Sequence, residues 1–261
     1  MLVKICLLGL LTASARAGPT RIVGGNPTTV EKYPSIVQVE FRSGSTWMQA
    51  CAANIVHRQY VVSAAHCFDG ALFNVASRRI RAGSSNRNIG GYIIHVDQVT
   101  NHPSYNTRTN DGDITLVKLS KALVYSESVQ PVQIAWPRME LPANLPVVHA
   151  GWGTTTQGGS MSPILRDVTI YTISRSVCQR RYRGVFTNRR ITQNMICAGI
   201  DGVGGQDACQ GDSGGPMYYD GILVGIVSWG RGCANAHYPG VSTKVSMYTN
   251  WILANTVKDF L

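Results

Sequence analysis

From Ser35 onward the chain is written in short apolar runs, and that rhythm confines it to β architectures. Ile36-Val37-Gln38-Val39-Glu40-Phe41, Ala53-Asn54-Ile55-Val56 and Tyr60-Val61-Val62 are each bounded by turn residues. Runs punctuated at intervals of about ten residues predict an all-β barrel or sandwich. The alternating stretch 164–173 predicts a further strand. No helical heptads, 20-to-50-residue repeats or low-complexity tracts compete with this reading. One helix is expected near the C-terminus, where Tyr248, Trp251, Ile252 and Asn255 fall at i, i+3, i+4 and i+7.

The N-terminus sets the compartment. Residues 1–17 read as a secretory signal peptide, with Lys4 ahead of an apolar run over 5–11 and Ala15-Arg16-Ala17 as the cleavage site. That run is too short for a transmembrane helix, which needs about 20 apolar residues. The reading is a secreted, extracellular protein with no membrane partner, and residues 18–21 then form a four-residue propeptide. Cys6 lies in the signal, leaving Cys51, Cys67, Cys178, Cys197, Cys209 and Cys233. Six cysteines in a secreted chain predict three disulfides, in any of 15 pairings. No Cys-x-x-Cys spacing points to zinc.

The net charge of +10 becomes +7 once Lys4, Arg16 and Arg21 are removed. Basic charge can signify nucleic acid, but here no basic helix or interleaving of basic and aromatic residues accompanies it. Nucleic acid is therefore not an expected partner. The imbalance within the basic residues says more, with 18 arginines against 6 lysines. Lysine begins to lose its charge near pH 10 and arginine does not, which points to an alkaline working fluid.

The chemistry concentrates in Asp207-Ala-Cys-Gln-Gly-Asp-Ser-Gly-Gly-Pro216, where Ser213 sits among Gly211, Gly214 and Gly215. A serine hydroxyl is a poor nucleophile unless a base lies at hydrogen-bond reach. Glycines let backbone N–H groups approach a reacting atom closely. Gly-Asp-Ser-Gly alone is an ordinary turn. Here a candidate base stands in Ala64-Ala65-His66-Cys67 and a candidate orienting acid in Asp113-Ile114-Thr115-Leu116. Arg21-Ile22-Val23-Gly24-Gly25 and Ala150-Gly151-Trp152-Gly153-Thr154 complete the set. From Arg21 onward the chain resembles the chymotrypsin-like (trypsin-family) serine proteases, over nearly its whole length and with insect-type digestive trypsins as the nearest likeness.

That resemblance implies two packed six-stranded antiparallel β-barrels, about 22–130 and 131–261, joined by a linker over 125–146. The C-terminal helix would pack on the second barrel. It selects the pairings Cys51–Cys67, Cys178–Cys197 and Cys209–Cys233, with 175–190 as an exposed loop or short helix. It assigns Ser213 as nucleophile, His66 as base and Asp113 as orienting acid, with the N–H groups of Gly211 and Ser213 as the oxyanion hole. Asp111 would be a solvated decoy. Cleavage after Arg21 would free the Ile22 amine to pair with Asp212. Asp207 would floor a substrate pocket lined by Ala208, Ser228, Gly230 and Gly240, selecting Arg or Lys. Ala208 replaces a serine common in trypsins, so lysine's ammonium loses a partner and arginine is favoured. Ser242 replaces a frequent tyrosine.

The expected protein is thus a secreted, monomeric serine endopeptidase made as a zymogen. Its partners would be protein and peptide substrates, an activating protease and protein inhibitors. No cofactor is implied, and no metal, because the segment 81–88 offers calcium no carboxylate. The other histidines (His57, His95, His102, His149 and His237) read as surface or satisfied core groups. A cascade protease and a non-catalytic binding homologue are the rival readings. The short propeptide favours digestion, and the complete set of three catalytic residues disfavours the binding homologue.

Overall fold

Strand β2 (Ile36–Ser43) shows how the apolar rhythm becomes a barrel. Val37 and Val39 lie in the core, yet Gln38 and Glu40 on the opposite face are buried as well. They are covered by the segment 78–91. Gln38 donates to the Asn86 carbonyl, and Glu40 accepts from Arg79 and Arg81 at 2.6 and 2.5 Å. A strand buried on both faces needs such partners, because an unpaired interior carboxylate is costly.

The computed structural model describes residues 24–71, 73–185 and 190–256. The expectations for residues 1–17, 18–21 and the Arg21–Ile22 junction lie outside them. Five more strands close the first barrel with β2: β3 (Thr46–His57), β4 (Tyr60–Ser63), β5 (Arg78–Ala82), β6 (Tyr92–Asn101) and β7 (Thr115–Leu119). Their order around the ring is β2-β3-β4-β7-β6-β5. The second barrel contains β8 (Pro146–Gly151), β9 (Arg166–Ile173), β10 (Met195–Gly199), β11 (Pro216–Tyr219), β12 (Ile222–Trp229) and β13 (Gly240–Lys244). These run β9-β10-β13-β12-β11-β8, and pairing of β8 with β9 closes the ring. The short β1 (Asn26–Pro27) adds to β9. All pairings in the two rings are antiparallel, so the all-β, two-barrel expectation holds.

The three disulfides join Cys51–Cys67, Cys178–Cys197 and Cys209–Cys233. Each closes a loop worth roughly 3 kcal/mol on the chain-entropy model. The segment after β9 forms helix α1 (Arg175–Tyr182), whose N-cap Ser174 accepts from the Val177 N–H. Cys178 and Tyr182, one turn apart, are its buried face.

The linker changes barrels within a few residues. Gln130 and Val132 donate backbone bonds to Pro34 and Ile55 of the first half, and Ala135 donates to Leu223 of β12. Tyr33 stacks on Tyr218, and the Ser35 and Tyr218 hydroxyls meet at 2.7 Å.

Helix α2 (Thr249–Thr256) confirms the expected periodicity but reaches beyond the expected docking site. Tyr248 and Trp251 grip the ring of His102, just after β6 of the first barrel, at 4.8 and 4.9 Å. Thr249 donates to the Ala135 carbonyl of the linker. Asp111 also differs from expectation. It is not a solvated decoy: it accepts from Thr192 at 2.6 Å and from Asn194 at 3.1 Å, tying the first barrel to the segment before β10.

Removing Glu40 leaves Arg79 and Arg81, two residues apart on β5, without the carboxylate they share. Glu40→Ala is expected to cost about 3 kcal/mol and to lower Tm by roughly 6–12 °C, given about 2–4 °C per kcal/mol for a chain of this size. A shift below about 2 °C by calorimetry would show that Arg79 and Arg81 simply turn to solvent.

Candidate active site

Strand register brings the first two groups together. Ser63 at the end of β4 pairs with Thr115 at the start of β7. The 3-10 turn Ala65–Phe68 and the residue Asp113 therefore lie at the same rim of the barrel. His66 donates its backbone N–H to Asp113 Oδ1 at 2.9 Å, and its Nδ1 meets Asp113 Oδ2 at 2.7 Å. Asp113 is fully buried and His66 is partly open, at 29% of its side chain. A carboxylate facing Nδ1 requires the proton there, which leaves Nε2 as an acceptor toward solvent.

Asp113 has a third donor that the sequence did not indicate. Ser228 Oγ, on β12 of the second barrel, reaches Asp113 Oδ2 at 2.5 Å. Ser228 does line the cleft, as expected of a pocket residue, but its hydroxyl is committed to the acid. Thr243 of β13 donates to the Asp113 carbonyl.

Ser213 arrives on a loop held by both barrels. Its carbonyl accepts from Ala52 of β3 at 2.8 Å, while the Gly214 carbonyl accepts from the Asn54 side chain. Gly214 N–H donates to Val227 of β12. Gly214 has φ +77°, and a Cβ there would stand 2.1 Å from Ser63 Oγ. Only glycine fits that approach. Among the described residues no hydrogen bond reaches Ser213 Oγ, as is common for a catalytic hydroxyl without substrate.

The neighbouring amides are aimed in a consistent direction. The Gln210 carbonyl accepts from Thr154 N–H at 2.8 Å, so the trans peptide turns the Gly211 N–H the opposite way. Asp212 and Gly214 N–H groups are bonded internally, to Cys209 and Val227. Among the described residues, those of Gly211 and Ser213 donate to nothing. Two uncommitted donors beside a serine hydroxyl can hold an oxyanion.

Asp212 is buried, with its carboxylate accepting from Gly153 at 2.7 Å and Cys209 at 2.9 Å. Burial pushes its carboxyl up to about 6, with those two N–H groups pulling the other way. A Cβ at Gly151 or Gly153 would lie 2.0 or 2.2 Å from its oxygens. The glycines around Trp152 are thus the space this carboxylate occupies. Its expected partner, Ile22, lies outside the described residues.

Asp207 closes a cleft lined by Ala208, Ser213, Ser228, Gly230, Gly240 and Ser242. It accepts from the Ala208 N–H at 2.8 Å. Burial pushes its carboxyl up to about 7, opposed by the Ala208 and Ala234 amides. Gly240 lies over it, where a Cβ would be 2.9 Å from Oδ1. Ala208 brings only a methyl group. His149, buried nearby, is pushed down to about 4 by burial and donates Nδ1–H to the Pro216 carbonyl.

Cys51, His66 and Cys67 bring ligand-type atoms within 4.8 Å of one another, but both sulfurs form one disulfide and offer no thiolate. In the segment 81–88 the Arg87 guanidinium is turned inward, onto Gln49.

The model of the trypsin family matches residues 22–252. The chain belongs to the trypsin family. An alkaline trypsin of Manduca sexta is 42% identical over 94% of each chain. A trypsin of Choristoneura fumiferana is 42% identical over 98% of this chain and its own full length. A vitellin-degrading protease of Bombyx mori is 36% identical over 98% of this chain and 94% of its own. The protein is a trypsin-like serine endopeptidase.

A cation entering the cleft would meet its counter-charge only when Asp207 is ionised. Benzamidine affinity is expected to fall as pH drops through about 7, by about tenfold per unit below it. Titration calorimetry between pH 5 and 9 checks this. A flat profile would mean that the carboxyl stays ionised throughout.

Proposed function

We propose that this endopeptidase is a secreted digestive zymogen that cleaves after Arg, and less readily after Lys, through an acyl-enzyme. The observation that carries the specificity is Asp207: a buried carboxylate at the base of an open cleft, with no cation beside it among the described residues. Burying it uncompensated is unfavourable, and a long cationic side chain supplies the missing charge. Arginine's fork can engage both carboxylate oxygens directly. With alanine at 208, lysine's ammonium lacks a hydroxyl partner there.

The geometry supports the following reaction. Ser213 Oγ attacks the scissile carbonyl as its proton passes to His66 Nε2, and Asp113 stabilises the imidazolium. The oxyanion takes the free N–H groups of Gly211 and Ser213. The imidazolium then gives its proton to the departing amine as the C–N bond breaks. Water, deprotonated by the same nitrogen, hydrolyses the ester and returns Ser213. As a trypsin-family enzyme it acts on protein substrates and is a target for protein inhibitors. An activating protease and a monomeric state are part of the proposal.

Activation is proposed to run through Asp212. Cleavage after Arg21 would free an Ile22 amine, and pairing would replace a costly lone carboxylate with an ion pair. The pairing raises the amine's pKa above its unfolded value of about 8. Its stabilisation is complete below that value and fades as pH rises through the folded one. The abundance of arginine and the alkaline designation of the Manduca relatives both favour a high working pH.

Peptide amides ending in Arg, Lys or Phe test the reading, before and after cleavage at Arg21, from pH 6 to 11. Arg-selective hydrolysis only after cleavage is expected. Ser213→Ala should reduce kcat by about 10⁶, and Ala208→Ser should raise the Lys/Arg ratio. Correctly cleaved, folded protein without activity would sink the proposal.

A further inference from the structure

Gly211 is the one glycine among the proposed oxyanion donors, a residue type that crosses φ space freely, and it sits at φ +95°. Its N–H aims correctly only if the peptides on both sides are fixed. Thr154 fixes the preceding one. The following one is fixed by a residue outside the motifs: Gln49 Nε2 donates to the Gly211 carbonyl at 2.8 Å, from a fully buried side chain on β3.

Gln49 is held in turn by Arg87. Arg87 Nε donates to Gln49 Oε1 and Nη2 to the Gln49 carbonyl, both at 2.7 Å. This fork decides which way the amide points. A guanidinium can only donate, so it must face Oε1, and that leaves Nε2 facing carbonyls, which can only accept. Nε2 accordingly serves Gly211 and, at 3.1 Å, Cys51. The loop bearing Arg87 is itself tied down. Gln49 N–H donates to Asn88 Oδ1, Asn88 N–H to Gln38 Oε1, and Arg87 N–H to the Pro163 carbonyl. The Arg87 guanidinium is partly desolvated, with Glu40's charge offsetting the burial.

We propose that Arg87 and Gln49 are positioning residues that lock the Gly211–Asp212 peptide and so aim the oxyanion donors from the surface loop 83–91. The claim rests on the catalytic reading above. It predicts loss in the transition state without loss in the pocket.

The test uses the full chain cleaved after Arg21, with Arg87→Leu, Arg87→Lys and Gln49→Glu. Gln49→Glu keeps an acceptor for Arg87 and removes the donor to Gly211. Three readouts are compared: kcat and KM for an Arg peptide amide, inhibition by a peptidyl argininal, and benzamidine binding. The argininal adds to serine and places an oxyanion on the donors; benzamidine occupies only the Asp207 cleft. Outright loss of an oxyanion donor lowers kcat by about 10²–10³. Arg87→Leu, which loosens one indirectly, is expected to lower kcat by about tenfold, and Gln49→Glu by up to about a hundredfold. Argininal affinity should fall by the same factors, KM and benzamidine Kd should stay within about twofold, and Arg87→Lys should recover part of the loss.

Unchanged kcat and argininal affinity in both Arg87→Leu and Gln49→Glu would overturn the relay. So would benzamidine affinity falling in step with kcat, which marks general disruption. Failure of the catalytic reading looks different: the wild type would be inactive, or the argininal would bind Ser213→Ala as tightly as wild type. Either result removes the relay as well.

Discussion

The loop carrying Ser213 is fastened to two barrels at once, and the site exists only because of that. Ala52 and Asn54 of the first barrel hold the Ser213 and Gly214 carbonyls, while Val227 of the second receives the Gly214 N–H. Each barrel supplies part of what holds the loop. The contact is close enough to exclude any side chain at 214. The seam between the barrels therefore sets where Ser213 stands relative to His66 and Asp113.

Three buried carboxylates along that seam differ in how fully they are satisfied. Asp113 accepts from His66 twice and from Ser228, so both of its oxygens are taken up by neighbours already in place. Asp212 accepts from two backbone amides and sits at about 6. Asp207 keeps part of its capacity open to the cleft and sits at about 7. On the function proposed above, the difference matches what each carboxylate would meet: a neighbour already present, a partner delivered by the chain, and a ligand from solution.

The β rhythm, the C-terminal helix and the contiguous motifs were legible because each is local in sequence. Period-2 alternation marks strands such as β2, and Ala-Ala-His-Cys marks the turn after β4 whether or not the other barrel is present. What escaped is made between segments far apart in the chain. Ser228 reaches Asp113 across 115 positions, Gln49 reaches Gly211 across 162, and Asp111 reaches Thr192 across 81. A lone Gln or Asp carries no spacing that announces such a contact. His102 likewise became a gripping point for α2 only because the C-terminus returns to the first barrel. One signal was readable in hindsight. Two glycines flanking a buried tryptophan mark a place where something must approach, and that something is Asp212.

The bond from Ser228 to Asp113 has a consequence for a nascent chain. Synthesis runs from the N-terminus, and domains fold as units in that order. An emerging first barrel can pair His66 with Asp113, but it has neither the serine nor the hydroxyl that completes the acid's coordination. Those arrive with the last third of the polypeptide. On the function proposed above, a chain halted before the second barrel would carry the base and the acid without a nucleophile, and could not cleave its neighbours.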